Sequence, residues 1–357
     1  MERIREQKCA SCGAPLQFDP ETGKLVCQSC GAVQDIPAEP EAKDVSLEGL
    51  DFEALTGQAT EDGAEAVPIY NCVSCGAEII APQEQIATTC PYCGNNVVLT
   101  DKVSGKLRPD GVVPFHIDAR QLPGAVKEFY RGKALLPRNF FSESTMGKVT
   151  GVYVPFWVFS GRIDGMLSFR GERSSSRREG SYVVTTTNHY RLNRDVGLSF
   201  SDVPVDASGR IADELADSLE PFDLSEAKPF DMRYLAGFTA DRFDRAKDDM
   251  AERAGRRMTA SAERAALRTL SGYSGVVRTG GSLKAKLSAR YLLLPVYLFS
   301  ILHEGKSYSF AVNGQTGKVV GTLPISKQTS TRYFLLRAGA AAAVVVAAFV
   351  AKYLMGA

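Results

Sequence analysis

The sequence predicts an α+β protein: two small β modules, then an α+β body, then a single long apolar helix. Three observations carry that reading. Cysteines occur only as Cys-x-x-Cys pairs near the N-terminus, an apolar run is echoed 140 residues later, and an uncharged run lies near the C-terminus. The 357 residues are 44% apolar and 23% charged, with a formal charge of +1. That composition is ordinary for a globular chain of two or three domains, and it gives no gross bias toward nucleic acid or anionic membrane.

All eight cysteines precede residue 94, as Cys9/Cys12, Cys27/Cys30, Cys72/Cys75 and Cys90/Cys93. Adding 63 to each member of the first two pairs gives the last two, so one unit is written twice. Each second cysteine is followed by glycine, at Gly13, Gly31, Gly76 and Gly94. A Cys-x-x-Cys-Gly turn presents two sulfurs on one side of a tight loop, and the glycine permits the backbone angles that aim amides at them. Two such turns close a tetrahedral site with no position left for water, the signature of a structural rather than a catalytic ion. The spacing therefore predicts two structural Zn2+ ions in two ribbons. Cys9, Cys12, Cys27 and Cys30 would hold one ion; Cys72, Cys75, Cys90 and Cys93 would hold the other. Redox-active pairs or a rubredoxin-like iron cage are the alternatives. Between Lys8 and Gly31 the apolar side chains are few (Leu16, Phe18, Leu25, Val26), so metal binding has to contribute folding energy there. Met1 to Lys8 is charged and lacks the apolar stretch of a secretory signal, which predicts a reducing, cytoplasmic setting.

From Val67 to Thr100 there is no Lys or Arg, only Glu78 and Glu84. A module of that charge gains nothing from releasing phosphate counterions, so it reads as a protein-binding rather than a nucleic-acid-binding ribbon. Between the ribbons, Glu39 to Ala66 carries nine acidic residues against Lys43, as in a solvated linker. Leu47, Leu50, Phe52 and Leu55 within it form a candidate docking motif. The domains expected are ribbon 1 at 1–36, an acidic linker at 37–66, ribbon 2 at 67–100, the body at 101–327 and an anchor at 328–357.

In the body, Val154-Pro155-Phe156-Trp157-Val158-Phe159-Ser160 is matched by Leu294-Pro295-Val296-Tyr297-Leu298-Phe299-Ser300. Both are apolar runs with one proline, which predicts buried strands with the proline at a bulge or strand start. Helical stretches at Ala119–Leu136 and Asp241–Leu270 precede them, and Pro114-Phe115 and Pro229-Phe230 head the two halves. The body is thus expected to be two related helix-plus-sheet units. Arg170, Arg173, Arg177, Arg178, Arg191 and Arg194 flank Ser174–Ser176 and Thr185–Thr187, as on an exposed β-hairpin with a mobile tip. A solvated edge is the plainer reading of it, and contact with lipid headgroups or an acidic partner the sharper one. Asn313-Gly314 is a hairpin-turn signal. Neither Gly317-Lys318 nor Gly305-Lys306-Ser307 has the first glycine of a phosphate-binding loop, because Val312 and Ser300 stand there.

Ala338 to Ala351 is uncharged, and Phe334 to Met355 makes 22 residues, or about 33 Å of helix, if Arg337 and Lys352 snorkel. Tyr333 and Tyr353 fall where an interfacial aromatic belt would place them. A single transmembrane helix is expected, with a buried core helix as the alternative. Lys327, Arg332 and Arg337 before it and only Lys352 after it place the large N-terminal part in the cytoplasm. His116, His189 and His303 have no metal-ligand spacing, and no nucleophile elbow or free cysteine nucleophile is present, so no catalytic residue is assigned. Asp206, Glu220 and Asp223 would have to converge on a histidine for an enzyme reading to stand.

The segments Val203–Ser208, Ser218–Asp223, Gly151–Trp157 and Asn313–Gly321, with the Cys-x-x-Cys-Gly turns, resemble a bacterial TFIIB-type zinc-ribbon membrane protein family. The resemblance covers most of residues 70–357. Its members are often labelled primosomal helicase-like, although this chain has no helicase motif. The resemblance implies a membrane-anchored zinc-binding adaptor beside phage-shock-type or SPFH-type membrane proteins, acting in envelope maintenance and bringing no catalytic residue. The expected partners are therefore cytoplasmic or membrane-associated proteins and membrane lipid, at the inner membrane. A membrane-tethered zinc-ribbon regulator that binds nucleic acid is the alternative.

Overall fold

The computed structural model describes residues 9–36, 67–72, 75–80, 88–90, 92, 96–103, 109–133, 135–137, 140, 149–324 and 326–354. The acidic linker at 37–66 lies outside the described residues, as do Cys93 and Gly94. In chain order the first module has β1 (Leu16–Asp19), β2 (Lys24–Cys27) and β3 (Val33–Gln34). The second has β4 (Val67–Asn71), β5 (Glu78–Ile80), β6 (Thr88–Thr89) and β7 (Asn96–Val103). The body runs β8 (Gly111–Val112), α1 (Leu122–Tyr130), β9 (Thr150–Glu179), β10 (Tyr182–Asp206) and α2 (Asp213–Leu219). It continues with β11 (Lys228–Pro229), β12 (Thr239–Asp241), α3 (Lys247–Arg268), β13 (Ser274–His303), β14 (Lys306–Asn313) and β15 (Val319–Gly321). A final helix, α4, spans Lys327–Leu354. The class is mixed α+β, as the sequence predicts.

The two echoed runs are neighbours. β9 and β13 pair antiparallel from Glu172↔Ser274 to Tyr153↔Pro295, with Leu294 opposite Val154. Val152–Phe159 and Tyr291–Val296 are buried throughout, since both sheet faces are covered here. The prolines sit inside the strands rather than at bulges or starts. Pro155 falls where the outer neighbour of β9 changes from β12, at Val152 and Tyr153, to β10, at Phe156. Pro295 falls where the outer neighbour of β13 changes from β8 to β14. Neither ring therefore removes a ladder hydrogen bond, the reason proline is otherwise excluded from central strands.

Beyond this core β9, β10 and β13 run on as a three-stranded blade. From Tyr153 to Glu179 is 27 residues, or about 86 Å over their 26 steps at ~3.3 Å each. The arginine-rich segment is its tip, an exposed β-hairpin as the sequence predicts, and residues 173–191 are all exposed. Helix α3 covers one face of the blade. Its buried stripe of Ala254, Met258, Ala262 and Ala266 recurs every four residues and packs with Ile163, Leu167, Phe169, Leu192 and Val196. Arg173 lies 4.8 Å over the Tyr273 ring, and Arg194 donates to Thr269 Oγ1 at 2.8 Å, so two of the six arginines fasten the blade to the end of α3.

Both predicted helices are shorter than the sequence suggests. α1 begins at Leu122 because Asp118 caps a preceding 3-10 turn and Pro123 suits the first helical turn. α3 begins at Lys247 because Asp241 ends a strand, and Leu267, near its C-terminus, is 41% exposed. α4 carries one window, Thr329–Ala348, long and apolar enough to cross a membrane, and none of it is buried in the protein.

Adjacent glycines on β13 provide a test of the blade's close strand approach. Gly281 has φ +93°, and a Cβ there would meet the Met166 carbonyl oxygen at 2.1 Å, whereas Gly280 faces open space. Gly281→Ala should lose on the order of 2 kcal/mol or more in urea unfolding, and Gly280→Ala should stay within about 0.5 kcal/mol of wild type.

Candidate metal centres and the polar latch

The turn at Cys9 is closed by Cys9 N–H donating to the Ala14 carbonyl and Gly13 N–H donating to the Cys9 carbonyl, both at 2.8 Å. The same pair of bonds recurs at Cys27 (Ala32, Gly31) at 2.9 Å and at Cys72 (Ala77, Gly76) at 2.8 Å. The glycines have φ of +72°, +74° and +70°, the left-handed region that explains the Cys-x-x-Cys-Gly pattern. Register does the rest. Leu16 pairs with Cys27 across the β1–β2 hairpin, which folds the second turn back onto the first.

Cys9 Sγ lies 3.5 Å from Cys30 Sγ and Cys12 Sγ 3.4 Å from Cys27 Sγ, and all four lie within 4.8 Å of one another. A tetrahedral ion with metal–sulfur bonds of about 2.3 Å would set sulfurs ~3.8 Å apart, so the cluster fits a four-coordinate ion with no open position. The local electrostatics ask for one. The amides of Ser11 and Cys12 hold the Cys9 thiol down to about 6, and the Cys30 amide lowers Cys27. The Ala32 amide also draws Cys30 down, yet the sulfurs of Cys9, Cys12 and Cys27 outweigh it and push Cys30 up to about 12. Four sulfurs at this spacing cannot all ionise without a cation among them.

The second cluster brings together Cys72, Cys75 and Cys90, again within 4.8 Å, with Cys75 Sγ 3.5 Å from Cys90 Sγ. Cys93, its expected fourth ligand, lies outside the described residues. In both modules the first cysteine of each described pair is buried and the second exposed, apart from Cys93.

Neither module stands apart from the body. In the first, Phe18 N–H donates to the Ala236 carbonyl at 2.9 Å, and its ring meets Tyr234 edge-on at 5.5 Å. In the second, β5 pairs antiparallel with β12, Ala240 opposite Ile80, which extends the body's sheet into the module. A polar latch fastens this joint. Asp241 is fully buried and accepts from the hydroxyls of Tyr92 and Ser208, both at 2.7 Å. Arg210 approaches Asp241 Oδ1 at 3.5 Å and donates to the Gly76 carbonyl at 2.9 Å, inside the metal turn. Arg242 pairs with Glu78 at 2.7 Å. Sequence reading missed Tyr92, Ser208, Arg210 and Asp241, because partners 149 and 33 residues apart carry no local signal.

The resemblance segments also meet. Asn313 Nδ2 donates to the carbonyls of Leu219 and Pro221 at 3.0 Å, while Asn313 Oδ1 accepts from the amides of Gln315 and Thr316. Gln315 accepts from the Asp223 amide at 2.8 Å and donates to Glu226, and Lys318 Nζ donates to the Glu220 carbonyl. The turn after β14 therefore grips the loop after α2.

Asp206, Glu220 and Asp223 take separate places. Asp206 is buried beneath the Ser208 amide, Glu220 pairs with Arg257 at 2.9 Å, and Asp223 accepts from the amide and hydroxyl of Ser225. The histidines are dispersed likewise, with His116 3.5 Å from Glu226, His189 3.3 Å from Glu172 and His303 3.8 Å from Glu304.

Fold and site together define a class: an α+β protein with cysteine clusters that could hold metal ions and one C-terminal helix able to cross a membrane. A Bacillus subtilis (strain 168) protein described as uncharacterized, YdjG, is 35% identical over 332 residues, covering 93% of each chain. The chain belongs to the same family as YdjG. No family model and no solved structure matches it.

Two measurements test the site. Elemental analysis of purified protein should find two metal ions per chain, falling to one in Cys27→Ser and to one in Cys93→Ser. Burial pushes the Asp206 carboxyl up to about 7, against the Ser208 amide and Arg245. The folded form keeps a proton that the unfolded chain has released, so this group's contribution is full below about pH 4 and is lost as pH rises through about 7. Asp206→Asn keeps an acceptor for Ser208 and never ionises. Its stability minus that of wild type should be near zero at about pH 4 and reach a few kcal/mol by about pH 8 in urea unfolding.

Proposed function

We propose that the protein is a membrane-anchored, zinc-binding adaptor that recruits cytoplasmic partner proteins to the bacterial inner membrane. One observation carries the membrane half of this reading. α4 leaves the body with its apolar side chains unburied: Phe334, Leu335 and Leu336 are 70%, 62% and 74% exposed. An apolar helix of that length is covered by a bilayer or a partner. Zinc is the proposed ion because closed four-sulfur tetrahedral sites favour it. The exposed turns at Cys12 and Cys30 are the proposed docking points, and phage-shock-type or SPFH-type membrane proteins, in envelope maintenance, are the partners the sequence resemblance favours.

The body is further inferred to consist of two related units. Supporting this, β8, α1, β9 and β10 follow one another as β12, α3, β13 and β14 do. Each short strand runs parallel to the other unit's long strand, β8 beside β13 and β12 beside β9.

A cross-linked pull-down from native membranes tests the adaptor reading. Cys12→Ser/Cys30→Ser should lose partners that the intact protein retains while remaining membrane-bound. An unchanged partner set in that variant, with loss in Arg170→Glu/Arg191→Glu, would move the docking surface to the blade.

A further inference from the structure

The end of the body from which α4 departs has a surface of its own. Three elements meet there: the β13–β14 turn, the loop after α1 and the first turn of α4. The Phe140 ring joins the first two, lying 5.2 Å from His303, 5.4 Å from Tyr308 and 5.8 Å from Tyr130 at the end of α1. Ser326 N–H donates to the Leu135 carbonyl at 3.0 Å, which joins the loop to α4. Between loop and helix lies a cleft of about 380 Å³ bordered by Lys133, Leu135, Leu136, Leu323 and Tyr333.

Two leucines are exposed at this end of the body. Leu302, beside the β13–β14 turn on the hairpin face opposite His303, is 69% exposed, Leu135 in the loop is 36% exposed, and Phe334 on α4 is 70% exposed. Cations lie at the same end. Lys133, Lys306 and Arg332 are exposed, as is Arg131, which pairs with Glu128 at 3.2 Å. Glu304 is the opposing charge at the turn, 3.8 Å from His303. Exposed apolar side chains at the end from which an exposed apolar helix departs, with Lys and Arg among them, match the boundary between acyl chains and anionic headgroups. A protein partner docking here would have to share the surface with the bilayer that covers α4.

We propose that this end of the body binds anionic phospholipid directly, with Leu302 and Leu135 at the acyl boundary and a headgroup in the cleft beside Lys133. The inference rests on α4 being the membrane anchor. It makes the membrane contact two-part and fixes the orientation of the body. The blade then projects from the opposite end, holding its arginine tip clear of the bilayer.

The test uses the full chain in vesicles of phosphatidylcholine, alone or mixed with phosphatidylglycerol, with a photoreactive amino acid at position 302, 183 or 344. Lipid adducts are expected at 344 in both vesicles, at 302 several-fold more with phosphatidylglycerol, and not at 183 on the blade tip. Lys133→Glu/Lys306→Glu should abolish the phosphatidylglycerol preference at 302 and leave 344 unchanged. Adducts at 344 without any at 302, or equal adducts at 302 and 183, would overturn the second contact while leaving the anchor standing. Absence of adducts at 344 would overturn the anchor and this inference with it.

Discussion

The pairing of β9 with β13 is the constraint on which the other contacts depend. Because the two apolar runs lie side by side with both faces covered, they can be uniformly hydrophobic, and every short element of the body has to find an edge or a face of that pair. β8 and β12 take the outer edges at the base, β10 and β14 take the edges next to them, and the prolines mark the changeover. Past the base the same strands lose one covering layer and keep the other. The pattern changes accordingly to alternation, apolar toward α3 and polar outward, as a one-sided sheet requires.

The metal modules and the body are mutually dependent in a way their sequence separation conceals. A small ribbon has too few apolar side chains to fold on hydrophobic burial alone, so a docking surface contributes, and an ion held by the cysteines would add to it. Strand β12 supplies that surface to the second module, and the latch around Asp241 explains the cost it accepts. A carboxylate without solvent exposure is tolerated because Tyr92, Ser208 and Arg210 face it. Arg210 also holds a carbonyl of the Cys75–Gly76 turn, so distortion of the turn would leave a buried charge short of a partner. One guanidinium thereby joins the cysteine turn to the sheet joint.

Several polar motifs prove to be joints of the architecture. Asn313 and Gln315 have the look of ligand-binding residues in a glycine-rich turn, yet their side chains are spent on backbone groups of the loop at 219–223 and on Glu226. Arg173 and Arg194 belong to the basic run but bind the end of α3. Arg170 and Arg191, in contrast, face each other across the β9–β10 ladder, and like charges directly opposed on a strand pair are an arrangement that an anion would relieve.

The sequence by itself determined whatever depends on short-range spacing. The metal turns follow from Cys-x-x-Cys-Gly because one glycine angle and two amide bonds make each turn, all within six residues. The strands at 154–160 and 294–300 follow from local hydrophobicity, the exposed hairpin from its run of arginines, serines and threonines, and the apolar helix near the C-terminus from composition. Tertiary structure alone decided which strands pair, where the helices stop, and that the modules rest on the body. Those outcomes turn on contacts between residues tens to hundreds of positions apart, such as Tyr92 with Asp241 and Asn313 with Leu219. A buried charge finds its partner through the energy of desolvation, which acts only once the chain has brought the two together. No spacing rule along the chain encodes that meeting.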